Sequence, residues 1–281
     1  MEYPQLAVMN ISHRYFDLEE FFSSASASGY TCCELWTGAM HLYVDCHGYD
    51  SLERVRELSQ RYGVRIVGLC PEQNNPKPWN VAVRGEAGQK RILSYFKNVI
   101  DVAVELGVPQ ILVTSGWAYL DEPAEDAWAR SVAMLRSVCD YADTRGIRVA
   151  LEALQPSESV LVNTAQDVAR ILEAVDRPNL KACIDFGAME VAGDTIDGYF
   201  EVLGDKIVHT HFVDVGGGTT HLAWGDGERD MRADLEALMR HGYTGYVSAE
   251  TCDGRYYQDP SKATTQVIEM YRRVTAEMEA E

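Results

Sequence analysis

The chain has 281 residues, 46% of them hydrophobic, and carries 43 Asp and Glu against 25 Lys and Arg for a formal net charge of −18. That length suits one large domain or two small ones, and the charge excludes a nucleic-acid partner, whose phosphates require a basic face. No apolar run approaches the ~20 residues that span a bilayer and nothing at the N-terminus resembles a signal peptide, so a cytoplasmic protein with no membrane partner is expected. A neutral or cationic small substrate suits such a charge better than an anionic one, although local fields can differ from the net value. The seven cysteines form no CxxC pair and read as free thiols in a reducing compartment.

In chain order, apolar runs at 6–11, 31–36, 65–70, 110–115, 147–151, 180–184, 207–210 and 246–249 read as strands. Helical patterns fall between and after them, at 17–28, 51–62, 89–106, 125–145, 164–175, 193–203, 231–240 and 260–280. Gly29, Gly63, Gly107, Gly146 and Gly242 stand just past helical patterns, where a left-handed residue ends a helix. Asn163-Thr164 and Asp50-Ser51 offer N-caps. The strands are continuous rather than alternating, as expected when both faces are covered. Eight βα units without a linker predict a single-domain (β/α)8 TIM barrel over residues 1–281, close to the usual ~250 residues of that fold. Long connections at 37–50, 71–88 and 213–230 should form the rim and lid of its pocket.

Glu152, Asp185, His211 and Glu250 each follow one of the last four apolar runs. A carboxylate at a buried strand end is costly unless a positive charge meets it, and the strand C-termini are where barrels place active sites. Three carboxylates and an imidazole predict a site for a hard divalent ion, Mn²⁺ first, with Co²⁺ or Mg²⁺ as alternatives. No cysteine other than Cys70 stands at an equivalent position, which disfavours a thiolate zinc site. Four separately capped or salt-bridged strand ends are the alternative.

The segments Leu151-Glu152-Ala153-Leu154-Gln155-Pro156, Ile184-Asp185-Phe186-Gly187, His209-Thr210-His211-Phe212-Val213-Asp214 and Ser248-Ala249-Glu250 resemble the xylose-isomerase-like barrel superfamily. Within it the likeness is to ketose 3-epimerases of the D-tagatose 3-epimerase type, and most of all to the fructoselysine 3-epimerases. That pattern is echoed by Gly29-Tyr30, Glu34-Leu35-Trp36, Pro71-Glu72-Gln73-Asn74, Thr220-His221, Gly225-Asp226-Gly227 and Gly242-Tyr243-Thr244-Gly245-Tyr246. The resemblance implies that Glu152 and Glu250 both hold the metal and act as acid and base on opposite faces of a sugar. A proton leaves C3 through a cis-enediolate and returns on the far side. It also implies a homo-oligomer, dimer or tetramer.

The same resemblance suggests contacts to the small sugar or sugar conjugate from His13, Trp36, Glu72, Glu158 and His221. Trp36, Trp79 and Trp117 could stack on a pyranose, and Glu72 could meet a substrate amine. His209 and Asp214 are candidates for orienting His211. Two places depart from the free-ketose pattern: Ala188 stands where those enzymes have a histidine, and Gly217 where they have an arginine. A lyase acting on a 3-keto sugar (inosose dehydratase or the barrel subunit of a C-glycoside deglycosidase) and a 1,2-aldose–ketose isomerase are the alternatives. Phosphodiester cleavage, known for this barrel, is disfavoured by charge and by the lack of a trinuclear ligand set.

Overall fold

All eight apolar runs are parallel strands, and the computed structural model, which describes residues 3–73 and 78–280, closes them into a barrel. In chain order β1 is Gln5–Met9, β2 Cys32–Trp36, β3 Arg65–Cys70 and β4 Gln110–Thr114. They are followed by β5 (Arg148–Glu152), β6 (Leu180–Asp185) and β7 (Ile207–His211). A small antiparallel pair, β8 (Asp214–Gly216) and β9 (Thr219–Leu222), precedes the last barrel strand, β10 (Tyr246–Ala249). Closure is made by β1, which pairs with β10 from Gln5–Tyr246 to Val8–Ala249 and with β2 at Val8–Cys33 and Met9–Glu34. Asn74, the last residue of the expected Pro71-Glu72-Gln73-Asn74 motif, lies outside the described residues.

The helices around the barrel are α1 (Leu18–Ser28), α2 (Glu53–Tyr62), α3 (Glu86–Leu106), α4 (Ala124–Asp143) and α5 (Ala165–Val175). The second half adds α6 (Phe186–Ala192), α7 (Ile196–Leu203), α8 (Met231–Arg240) and α9 (Pro260–Glu279). In α5 the buried residues Val168, Ile171, Leu172 and Val175 recur at helical spacing and face the sheet. Its start is a capping box between Thr164 and Asp167, a device that contributes about 1 kcal/mol. The expected Asp50-Ser51 cap is shifted by one residue: α2 begins after Leu52, and Ser51 Oγ accepts the N–H of Glu53, its first residue, at 3.4 Å. The pattern at 193–203 is also corrected. Asp185 caps α6 directly after β6, Gly193 ends it in the left-handed region, and Thr195 starts α7.

Most buried apolar side chains, Phe21, Phe22, Phe96, Ile171 and Leu235 among them, fill the shell between strands and helices. Small sets pack separately, Ala7, Cys32 and Val67 in one, Leu112, Ala150 and Cys183 in another. Strand alternation puts these inside the barrel and sends Glu34, Gln110, His209, Glu152, Asp185 and His211 inward with them. All seven cysteines are free, and no helix among the described residues is long and apolar enough to cross a membrane.

The connection from β7 to α8 folds around one carboxylate. Asp214 is 1% exposed, and its Oδ1 accepts the N–H groups of Val215 and Arg229 at 2.8 and 3.0 Å. Its Oδ2 accepts those of Gly225 and Gly227, both at 2.9 Å. A Cβ at Gly227 would overlap that carboxylate, so the Gly225-Asp226-Gly227 turn closes because residue 227 has none. Trp224, fully buried, donates its indole N–H to Phe212 O at 3.0 Å and pins the turn to the end of β7. Truncating Asp214 to Ala leaves four N–H groups without their acceptor. Hydrogen bonds to a charged group contribute ~1.5–3 kcal/mol each, so Asp214→Ala is expected to lower unfolding stability by roughly 3–5 kcal/mol. Urea denaturation with an unchanged m-value is the check; a loss under ~1 kcal/mol would show that water replaces the carboxylate.

Residues Asn10–His13 leave β1 as one turn of 3-10 helix, which ends the strand two residues earlier than expected. This turns His13 away from the barrel mouth. Its ring is buried edge-on to Phe21, with centroids 5.5 Å apart, and Nδ1 lies 2.9 Å from Ser12 Oγ. Burial first, and then the nearby His41, lowers its pKa from 6.5 to about 4. The unfolded chain takes up this proton near pH 6.5 and the folded chain only near pH 4, so stability falls as pH drops through that window. The lowering corresponds to roughly 3 kcal/mol lost between neutral pH and pH 4. Urea midpoints from pH 7 to pH 4 should show that loss in the native chain and a shallower slope in His13→Gln; identical slopes would clear His13 of the effect.

Candidate active site

The barrel register brings the four strand-end residues together. Asp185 pairs with His211 across β6 and β7, and Ser248 pairs with His211 across β10 and β7, which sets Glu250 beside it. His211 Nδ1 lies 2.9 Å from Glu250 Oε2, 3.0 Å from Glu152 Oε1 and 3.9 Å from Asp185 Oδ2. One ligand atom from each of the four lies within 4.8 Å of the others. Asp185 divides its carboxylate between two tasks. Oδ1 accepts the Ala188 N–H at the start of α6, while Oδ2 is buried with no hydrogen-bond partner among the described residues.

Such a cluster is short of positive charge. Burial raises the Glu152 carboxyl, His211 pulls it back, and the charges of Glu250 and Asp185 push it up again. Burial lowers the His211 ring, yet Glu152 and Glu250 outweigh that and hold its pKa well above the ordinary value. A proton on the imidazole is one answer to this field; a divalent cation is a stronger one. The donor set of three carboxylates and one imidazole nitrogen fits a hard or borderline ion. The buried Asp185 Oδ2 fits it too: it has no hydrogen bond among the described residues and only the more distant His221 and His211 rings near it.

A second layer of polar residues lies beneath, inside the barrel. Glu34 faces two histidines at once, with Oε2 2.7 Å from His209 Nε2 and Oε1 3.4 Å from His211 Nε2. Gln110 Nε2 donates to His209 Nδ1 at 3.0 Å, which leaves the His209 proton on Nε2, directed at Glu34. All four side chains are buried. Burial would raise the Glu34 carboxyl, but the two histidines hold it well below the usual carboxylate range. His211 is therefore oriented by Glu34. Asp214, expected as an alternative partner, spends its carboxylate on the β7–α8 turn instead. Glu34 and Gln110 were missed as site residues, although strand alternation through Cys32, Glu34 and Trp36 marks the same inward face.

Above the four residues is a cavity of about 200 Å³ lined by Trp36, Glu72, Glu158 and His221 together with Arg14, Gln73, Gln155 and Cys252. Four of the five residues expected to meet a sugar thus face it. His13 does not, for the reason given by its turn, and neither Trp79, stacked 4.3 Å from Tyr95, nor Trp117, packed on Tyr119, is among the lining residues. Trp36 owes its place to Gly38, where any Cβ would overlap the indole. Glu158 accepts the Gln155 N–H at 3.1 Å, and burial raises its carboxyl.

His221 comes from the β8–β9 pair, which sequence patterning did not anticipate. It holds a left-handed backbone (φ 58°), a conformation that costs about 1–3 kcal/mol outside glycine. Its Nε2 lies 3.5 Å from Asp185 Oδ2 and 3.6 Å from Glu250 Oε2, and Nδ1 is 2.9 Å from Thr220 Oγ1. A Cβ on Gly187 would press Thr220 and Asp185 at 3.1 Å and His221 at 3.2 Å, so the absence of a side chain there admits the strand pair. Ala188 contributes only its N–H, and Gly217 forms the left-handed tip between β8 and β9. The imidazole at 221 is the polar group that approaches Asp185 from this side.

Comparison with known proteins agrees with this geometry. Fructoselysine 3-epimerase from Shigella flexneri is 31% identical over 268 residues, covering 95% of this chain and 96% of that protein. A D-allulose 3-epimerase from Methylomonas sp., solved in complex with D-allulose, superposes with a TM-score of 0.79 at 18% identity, over 97% of this chain and 98% of that one. The IOLI protein, solved with a binding zinc atom, superposes with a TM-score of 0.79 at 22% identity over the same shares of the two chains. The family model for xylose isomerase-like TIM barrels matches residues 22–274. The chain belongs to the xylose isomerase-like TIM barrel family.

Proposed function

We propose that this chain is a divalent-metal-dependent sugar 3-epimerase that inverts C3 of a ketose or ketosamine of the fructoselysine/psicoselysine kind. The observation that carries the reading is the pair Glu152 and Glu250, two carboxylates at 3.0 and 2.9 Å from one imidazole nitrogen and both lining the cavity. The 31% identity to fructoselysine 3-epimerase over nearly the whole chain supports the substrate class.

Glu152, Asp185, His211 and Glu250 would hold the ion. Bound there, it supplies Lewis acidity that draws electron density from the sugar oxygens and makes the C–H beside the carbonyl acidic. The chain's own groups do the rest. One glutamate takes the C3 proton, and the C–H electron pair moves toward the C2 carbonyl oxygen. The other glutamate delivers a proton to the opposite face of C3 as the carbonyl re-forms. One carboxyl ends protonated and the other ionised, so the pair is reset by proton exchange before the next cycle. Glu34 keeps His211 from rotating, and His221 and Glu158 stand where sugar hydroxyls would lie. Mn²⁺ is the proposed ion, with Co²⁺ or Mg²⁺ as substitutes.

Proton NMR in D₂O tests the chemistry. Fructosyl-lysine incubated with the manganese-loaded protein should exchange hydrogen at C3 while its carbonyl stays at C2. Glu152→Gln and Glu250→Gln should each lower kcat by ~10²–10⁴-fold. Interconversion of the C1 and C2 oxidation states would point to a 1,2-isomerase, and an ultraviolet-absorbing elimination product to a lyase; either result replaces the reading.

Metal binding has its own readout. Partners that orient a metal-ligating histidine typically contribute ~10–100-fold in affinity. Glu34→Gln is therefore expected to weaken Mn²⁺ binding by that factor in calorimetry. Equal affinity in the two proteins would mean that His211 needs no such support.

A further inference from the structure

Arg14 is the one arginine or lysine among the described residues that lines the cavity, where it shares the wall with Glu72, Glu152, Glu158, Asp185 and Glu250. Several arginines of this acidic chain pair with carboxylates, Arg54 with Asp17, Arg56 with Glu105 and Arg84 with Asp121 and Glu122, while others such as Arg170 and Arg272 rest on a ring or backbone oxygens outside the cavity. Arg14 has no carboxylate partner among the described residues. Its Nε donates to Ile11 O at 3.0 Å, and its guanidinium carbon lies 4.9 Å from the centre of the Tyr257 ring and 5.8 Å from that of Trp36. Two aromatic rings and one backbone bond hold the planar group in place and leave the Nη edge unpaired. A rigid fork of this kind is what binds a carboxylate with two parallel hydrogen bonds.

The position of Arg14 is set by its neighbours. Tyr257 donates its hydroxyl to Cys252 O at 3.3 Å, and Cys252 lies two residues past Glu250 and also lines the cavity. The cavity itself, at about 200 Å³, is small beside the ~300–1,000 Å³ of most ligand pockets. It suits the reacting sugar alone, so a substituent on that sugar must run outward along the wall. Among the described residues Arg14 is the one guanidinium or ammonium beside five carboxyl groups, and one such fork matches a monoanion better than a phosphate dianion, which usually gathers several donors.

We propose that Arg14 is a specificity-determining residue that anchors a carboxylate carried by the substrate away from its reacting carbon. The chain then prefers a ketosamine whose amine-linked arm ends in a carboxylate over a free ketose. This rests on the 3-epimerase reading for the identity of the sugar, and the anchor itself is tested by binding.

Calorimetry on the full-length manganese-loaded protein uses three probes: N-(1-deoxyfructosyl)-6-aminohexanoate, its terminal carboxamide, and fructose 6-phosphate. The carboxylate probe should bind roughly 10–100-fold more tightly than the carboxamide, the scale of one charge-assisted contact. That ratio should fall to near one in Arg14→Gln and be partly retained in Arg14→Lys. Equal affinities for carboxylate and carboxamide in the native protein, or a ratio that survives Arg14→Gln, would overturn the assignment. Fructose 6-phosphate binding more tightly than the carboxylate probe, in an Arg14-dependent way, would overturn it in favour of phosphate. The affinity ratio and C3 exchange in D₂O are separate readouts: missing exchange would remove the epimerase reading and leave the carboxylate anchor to be decided by the ratio.

Discussion

Three carboxylates converge on one imidazole nitrogen at the mouth of a closed barrel, and the surrounding structure answers the electrostatic problem that this creates. Glu152, Asp185 and Glu250 are held within a few ångströms of His211 Nδ1 in a largely buried site. Like charges at that separation repel strongly in a medium of low polarity. Among the described residues no lysine or arginine forms an ion pair with these three carboxylates, whose partners are histidines. The fold orients oxygens toward a common centre and leaves one of them, Asp185 Oδ2, without a hydrogen bond among the described residues. Such a cost supports the divalent cation proposed for this site.

The barrel makes that arrangement rigid from below. Parallel strands with covered faces place alternate side chains inside, and in this chain the interior carries a polar string, Gln110, His209 and Glu34, leading to His211. Gln110 donates to His209 and His209 to Glu34, and such pairing lowers the cost of burying polar groups. The direction of His211 is thus decided several ångströms beneath the site. Its Nδ1 is left facing the carboxylates above.

The upper wall is assembled differently, from connections rather than strands. The β8–β9 pair delivers His221 in a left-handed conformation, and the Asp214 carboxylate keeps the chain beyond it closed around four N–H groups. Glycines at 38, 187 and 227 act here by lacking a side chain where an indole, an imidazole and a carboxylate need the room. Arg14 adds one positive group to a wall otherwise rich in carboxyls. The net charge of −18 favoured neutral or cationic ligands; the local field beside Arg14 differs from that average.

The amino-acid sequence by itself determined the eight strands, the barrel, and the four residues at the ends of the last four strands. Those features depend on local pattern: apolar runs of strand length, glycine after helices, and charge at run ends, all visible without knowing what touches what. Trp36, Glu72, Glu158 and His221 were expected at the cavity from the family resemblance, which places sugar contacts at and after the strand ends. The tertiary structure alone decided the rest. His13 also follows a strand, yet one 3-10 turn buried it against Phe21. Asp214 has the spacing to reach His211, but nearby backbone N–H groups captured it first. Glu34 sits mid-strand, where its partners come from β7, 175 residues away. Contacts of that kind depend on register and closure of the barrel, and neither is written in the periodicity of any one segment.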